Sequence, residues 1–136
     1  MAYFSITGNV FPLSEVTKIL NIEPTTTYKK GDIIVNNNPN IVSIKTRKRI
    51  ETLWELSTDY QKSYDINDQL NPLLDMLEAK VKELNELKEK YDLFYMFMIV
   101  IQVENNQTPA TCLENRIINF ASSINAQIHF DMYVFS

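Results

Sequence analysis

A short polar segment, TTTYKKGD at positions 25–32, contains residue types that bind anions. Backbone N–H groups around a glycine form a concavity for an anion, and Lys29 and Lys30 would add positive charge beside Gly31. The segment lacks the spacing of a phosphate-binding P-loop, because both lysines precede the glycine. We favour a structural alternative in which Gly31 supplies a positive φ at a turn before a strand.

A second basic segment, KTRKR at positions 45–49, holds four cations in five residues. On a strand, Lys45, Arg47 and Arg49 share one face and could follow a row of phosphates. The same charges would protect an edge strand from aggregation, and the net charge of −4 favours that interpretation. Arg47 and Arg49 join the anion-binding candidates, whereas nucleic acid is an unlikely partner for an acidic chain.

His129 and Asp131 lie two residues apart in the alternating segment AQIHFDMYVF, so they share one strand face about 7 Å apart. An aspartate can orient a histidine that acts as a base. Catalysis would also need a nucleophile such as Ser5 or Thr7 on a neighbouring strand, and the sequence does not establish that adjacency. We favour a polar pair on an exposed sheet face, we assign no catalytic residue, and enzymatic activity stays open.

The sequence gives little material for metal, cofactor or redox chemistry. It has one histidine and one cysteine, Cys112, too few for a usual zinc site without carboxylates, and it lacks a glycine-rich nucleotide motif. We therefore expect no metal and no cofactor. A single cysteine favours a reducing compartment, and the longest apolar run, at 93–101, is shorter than the ~20 residues that cross a bilayer. A cytoplasmic location without membrane contact is the expectation.

The hydrophobic pattern predicts the elements that position these residues. The 136 residues, 45 % of them hydrophobic, suit a single globular domain spanning 1–136. Alternating and apolar runs predict strands at 2–8, 32–35, 41–58, 92–104 and 126–135. Helical periodicity predicts helices at 12–20, 65–91 and 109–124.

The start of the long helix at 65–91 has two interpretations. Asp65 could cap a helix that tolerates Pro72 with some distortion. Alternatively, Asn71 caps the helix and Pro72 is its first residue, because residues that precede proline avoid helical conformation.

The predicted element order is β-α-β-β-α-β followed by α-β. The first six elements have the ferredoxin-like split βαβ order of an α+β fold, with a mainly antiparallel or mixed sheet and helices on one face. A doubly wound parallel sheet is the competitor. We favour α+β because three of the strands alternate polar and apolar residues, as a sheet with one solvated face requires.

The strand at 92–104 is apolar on both faces, unlike the others. If it lies centrally, its second face carries an exposed patch of the kind that marks interaction sites. The predicted partner-binding residues are Phe94, Met96, Met98 and Tyr133, and methionines suit surfaces that accept varied partners. The alternative is that the helix at 109–124 covers this face.

Several short motifs occur in an order that resembles a family of bacterial proteins, domain-of-unknown-function family 4279. They are VTKILNIEPT, KGD, LWELST and IHFDMYV, and the similarity covers nearly the whole chain. The matching positions are Pro24, Lys30, Gly31, Asp32, Trp54 and Asp131. Pro72 departs from the family pattern. The family has no agreed activity, so the resemblance implies a compact bacterial domain and transfers no catalytic residue.

The functional expectation is a non-enzymatic protein-binding or accessory module, with a protein partner or self-association as a homodimer. A narrower version is an immunity protein that neutralises a toxin. A binder of small anionic ligands, using the lysines and arginines named above, is the other alternative.

Overall fold

The structure is a computed structural model, and it describes residues 1–35, 47–58 and 65–135. The strands are β1 (Ala2–Gly8), β2 (Thr26–Tyr28), β3 (Thr52–Ser57), β4 (Phe94–Glu104) and β5 (Gln127–Phe135). The helices are α1 (Leu13–Leu20), α2 (Asn67–Leu77), α3 (Val81–Tyr91) and α4 (Asn115–Ser123), and a short 3-10 helix at Glu78–Lys80 joins α2 to α3.

The described strands form one sheet in the order β2-β3-β1-β4-β5. Neighbouring strands are antiparallel except β4 and β5, which are parallel. The first four strands and the helices between them have the ferredoxin-like split βαβ order. A parallel neighbour needs a crossover connection, and α4 lies in the connection that places β5 beside β4. The predicted α+β fold with a mixed sheet is confirmed.

One face of the sheet packs against the helices and forms the core. Phe4 of β1 lies opposite Leu56 of β3 and Phe97 of β4, and all three are buried. The Phe4 ring contacts the rings of Tyr95 and Phe97, with centroid separations of 5.7 and 4.9 Å. All four helices contribute buried apolar residues to the same cluster, including Val16, Leu20, Leu70, Leu74, Leu84, Leu87, Ile117 and Phe120. Full burial of each such side chain contributes about 1.5–3 kcal/mol, so this single cluster stabilises the domain.

The long helix differs from both of its predicted forms. Helix α2 begins at Asn67 and contains Pro72 in its interior, so a start at Asn71 is wrong and the start near Asp65 is nearly right. The Asp65 carboxylate accepts a hydrogen bond from the Asn67 backbone N–H at 3.0 Å, which satisfies a donor that has no partner within the helix. The 3-10 helix at Glu78–Lys80 then divides the predicted helix in two.

Helix α4 begins at Asn115, six residues later than predicted, and its contacts with α2 explain why. The buried side chain of Asn67 donates to the Cys112 carbonyl at 2.7 Å and accepts from the Glu114 backbone N–H at 3.2 Å. These hydrogen bonds hold residues 112–114 outside the helix. Cys112 is exposed.

The second strand of the sheet lies before the predicted hairpin, and the hairpin arms at 32–35 and 41–58 pair only through an isolated bridge in the described residues. Strand β2 is Thr26–Tyr28, whereas residues 32–34 pair with residues 47–49 through isolated backbone bonds. The Arg49 N–H donates to the Asp32 carbonyl at 2.8 Å, and the Ile34 N–H donates to the Arg47 carbonyl at 2.9 Å. The predicted turn at 36–40 and the predicted strand segment at 41–46 lie outside the described residues.

Candidate functional site

Helix α4 lies on the same side of the sheet as the other helices. Its Phe120 ring meets Phe97 on the core face edge-on, with centroids 6.1 Å apart. Its Arg116 binds both Asp75 of α2 and Glu78, at 2.6 and 2.5 Å. In residues 1–35, 47–58 and 65–135, therefore, no helix covers the opposite side of the sheet, and the alternative in which residues 109–124 cover it is wrong. We call that side the open face.

Strand β4 lies between β1 and β5, and its even-numbered residues point to the open face. Phe94 is 42 % exposed, and Met96 and Met98 are half-buried. Their registered neighbours are mostly polar: Thr7 lies beside Phe94, Ser5 and Gln127 beside Met96, and Tyr3 and His129 beside Met98. The result is an apolar strip along β4 with polar groups on both flanks.

Tyr133 shares the open face but stands apart from this strip. It lies opposite Gln102, eight residues beyond Phe94 on β4, which is roughly 26 Å along the strand. Its hydroxyl donates to Asp131 Oδ2 at 2.9 Å. The structure therefore brings Phe94, Met96 and Met98 together and leaves Tyr133 at the other end of the face.

A partly buried carboxylate lies on the same face, two strands from the strip. Glu55 of β3 pairs with Ser5 of β1, which in turn pairs with Met96. Burial raises the pKa of Glu55, and no cation pairs with its carboxylate among the described residues. Burial, and then the nearby charges of Glu55 and Asp131, also raise the pKa of Tyr3. The open face thus holds negative charge that no cation of the described residues pairs with.

The backbone donors of the segment around Gly31 are already engaged within the protein. The Lys29 N–H donates to Asp32 Oδ2 at 2.8 Å, and the Lys30 N–H donates to Thr52 Oγ1 at 3.1 Å. The Gly31 N–H donates to the Arg49 carbonyl at 2.8 Å, and the Asp32 N–H donates to the Lys29 carbonyl at 3.0 Å. Gly31 has a φ of +92°, as the turn interpretation requires. No free nest of N–H groups remains here for an anion.

The side chains of the anion-binding candidates do not converge. Lys30 Nζ donates to Asn9 Oδ1 at 2.5 Å, and the Arg49 guanidinium lies 4.1 Å from the centre of the Tyr28 ring. Lys29 and Arg47 are exposed. Anion binding by these residues stays a prediction to which the geometry adds no support.

His129 and Asp131 share the open face, as predicted, but each bonds to a different neighbour. A nitrogen of the imidazole, Nε2, lies 2.8 Å from Gln127 Oε1, and the Asp131 carboxylate accepts from Tyr133. The proposed nucleophile Ser5 is on β1, and β4 separates β1 from β5, so about 10 Å of sheet lies between Ser5 and His129. This arrangement provides no catalytic constellation.

Other kinds of site are equally unsupported in the described part of the chain. It contains no group of three or more histidine, cysteine or acidic side chains placed to hold a metal ion. Its helices are too short or too polar to cross a membrane. A shallow groove beside α1 lies away from the apolar strip, and its lining residues are Ser14, Thr17, Lys18, Asn21, Ile22 and Glu23.

Sequence reasoning missed Glu55 and the exposure of β5. The alternation in LWELS predicts that the side chains of Glu55 and Trp54 point to opposite faces of the sheet. The partial burial of Glu55, however, depends on its neighbours in β1 and β2, which only the strand register identifies. Phe130, Met132 and Val134 also alternate as core residues would, yet all three are exposed.

The comparison with protein families identifies the chain's relatives. The model of the family described as Domain of unknown function (DUF4279) matches residues 1–135. The chain belongs to this family. No curated protein and no solved structure matches it. Membership of DUF4279 agrees with the similarity found in the sequence motifs.

Proposed function

We propose that this DUF4279 chain is a non-enzymatic protein-binding module that docks a folded protein on its open face. The supporting observation is the strip of Phe94, Met96 and Met98, which no helix covers in the described residues. Apolar patches with polar rims mark interaction sites on soluble domains. The unbranched methionine side chains can adapt to the shape of a partner.

The charges on this face define the chemistry of the partner. Glu55 pairs with no cation among the described residues, and its partial burial means that it has less hydration to lose than a fully exposed carboxylate when a partner covers it. A lysine or arginine of the partner would find at Glu55 a position for an ion pair. We therefore infer a partner surface with an apolar centre and a cation about 10 Å from it, the width of two strand spacings.

A narrower form of the proposal makes the chain an immunity protein. Its net charge of −4 suits a basic partner, and electrostatic attraction would accelerate association with a toxin enzyme. Inhibition of a co-encoded enzyme by the purified chain would distinguish this form from a general accessory module.

The experiment compares two aspartate substitutions at methionines. Met98 lies in the apolar strip, whereas Met76 is 40 % exposed on α2, on the helix side of the domain. Tagged wild type and Met76→Asp should capture the same protein from a lysate of the native host, and Met98→Asp should lose it. Far-UV circular dichroism should remain unchanged in both variants. If Met98→Asp retains the same protein, the open face is not the docking surface.

A further inference from the structure

The two edges of the sheet are protected very differently. Strand β2, at one edge, has three residues, and Lys29 and Lys30 follow it directly. Strand β5, at the other edge, has nine residues and contains no lysine, arginine or proline. Natural proteins shield edge strands with such residues, because an unpaired row of N–H and C=O groups invites pairing with another chain. No described strand pairs with the outer edge of β5.

Strand β5 also exposes apolar side chains on the helix side of the sheet. Phe130, Met132 and Val134 are 47 %, 53 % and 69 % exposed, although they alternate as core residues do. Only near the beginning of the strand does an apolar side chain of this side, Ile128, become half-buried against the core. Among the described residues, the second half of β5 therefore combines an unpaired edge with an exposed apolar surface.

We propose that two copies of the chain join their β5 strands antiparallel across a two-fold axis at Phe130, which forms a continuous ten-stranded sheet. Because this axis is perpendicular to the sheet, residues on the helix side of one copy lie opposite residues on the helix side of the other copy. It brings the two Phe130 side chains together and pairs Ile128 with Met132 of the other copy. Aromatic and apolar cross-strand pairs of this kind stabilise antiparallel sheets.

Charge complementarity favours this register over the register centred one residue later, at Asp131. With the axis at Phe130, His129 of each copy lies opposite Asp131 of the other, so the Nε2–H of each imidazole can turn from Gln127 Oε1 to the partner's carboxylate. With the axis at Asp131, the two carboxylates would face each other directly, which destabilises a strand pair. The contacts within one chain allow this pairing, because the Tyr133 hydroxyl occupies only Oδ2 of Asp131 and leaves Oδ1 as an acceptor.

Sedimentation equilibrium of the purified chain tests the association. We expect a species of twice the 15.9 kDa chain mass. Phe130→Lys should convert it to a monomer, because it places two cations at the axis. Ile19→Lys, at an exposed residue of α1, should leave the dimer intact and controls for the added charge. A wild type that stays monomeric at high protein concentration overturns the proposal.

Single cysteines test the register in a Cys112→Ser background. Phe130→Cys should form an intermolecular disulfide under mild oxidation, because residues opposite each other in antiparallel strands have Cα atoms about 4.5–5.5 Å apart. Met132→Cys should not, because four residues of offset separate its two copies by roughly 13 Å. Faster cross-linking at position 132 than at position 130 would overturn the register. These tests use only the purified chain and no partner. If the chain proves to be a monomer, the proposed docking on the open face is unaffected, and if docking on the open face fails, the proposed dimer is unaffected.

Discussion

The side chain of Trp54 is fully buried and depends on one partner from another element. Its indole Nε1 donates to Thr17 Oγ1 of α1 at 3.0 Å. Thr17→Val keeps the shape of the side chain but removes the acceptor, and a buried donor without a partner costs about 1–3 kcal/mol. We expect Thr17→Val to lower the free energy of unfolding in urea by that amount. Thr17→Ser keeps a hydroxyl and should cost less, and equal losses for the two variants would contradict this role.

The carboxylate of Glu55 should lower the stability of the fold at pH 7 while it favours binding of the partner. Burial raises its pKa, so the folded state binds more protons than the unfolded state between the ordinary and the raised pKa. The free energy of unfolding contributed by this group is therefore fully present below about pH 4.3 and is lost as the pH rises through the raised pKa. We expect Glu55→Gln to be at least as stable as wild type at pH 7 and to lose that advantage at pH 4.

The same substitution should weaken partner binding, because the partner's cation loses its carboxylate. Urea denaturation at the two pH values, together with titration of the captured partner, measures both effects. A Glu55→Gln variant that is less stable than wild type at pH 7 would show that the carboxylate stabilises the fold. Unchanged binding of the partner would show that no partner cation pairs with Glu55.

Sequence alone places some of these residues and not others. Phe94, Met96 and Met98 share a face because side chains alternate along any strand, so their grouping requires no tertiary information. The sequence analysis also assigns Tyr133 to this patch, but the position of Tyr133 relative to Phe94 depends on the register between β4 and β5. The path of the chain from the end of β4 through α4 sets that register, and local pattern does not reveal it.

At the scale of elements, the turn at Gly31 offers a direct test of backbone conformation. Its φ of +92° lies where a β-carbon is strained, and a β-carbon built there would meet no atom within 4 Å. Gly31→Ala should therefore lower the free energy of unfolding by about 1–2 kcal/mol through backbone strain alone. Asparagine tolerates positive φ better, so Gly31→Asn should cost less in the same denaturation assay. If alanine is neutral, the turn does not impose this conformation.

Element types were more predictable than element boundaries. The apolar run from Phe94 and the alternation in β1 and β5 predict these strands, since period and composition are local properties. The predicted start of α4 at residue 109 is wrong because Asn67, 48 residues before Asn115, forms hydrogen bonds with residues 112 and 114. A contact of that kind overrides a Thr-Pro sequence that otherwise suits a helix start.

At the scale of the whole molecule, the functional question reduces to which side of the sheet the helices leave uncovered. Two apolar faces on β4 predict a central strand but allow α4 to lie on either side. The structure resolves this through contacts between distant elements, in which Lys88 of α3 donates to the Ile124 and Asn125 carbonyls at 3.1 and 2.9 Å beyond the end of α4. With α4 held beside α3, the strip of Phe94, Met96 and Met98 stays open within the described residues.

The most direct measurement is the affinity of the captured partner for Met98→Asp and for Met76→Asp, determined by calorimetry with purified proteins. Burying an unpaired aspartate in the apolar strip should weaken binding roughly tenfold or more, whereas the same change on α2 should leave the affinity at the wild-type value. Equal affinities for the two variants would contradict docking on the open face.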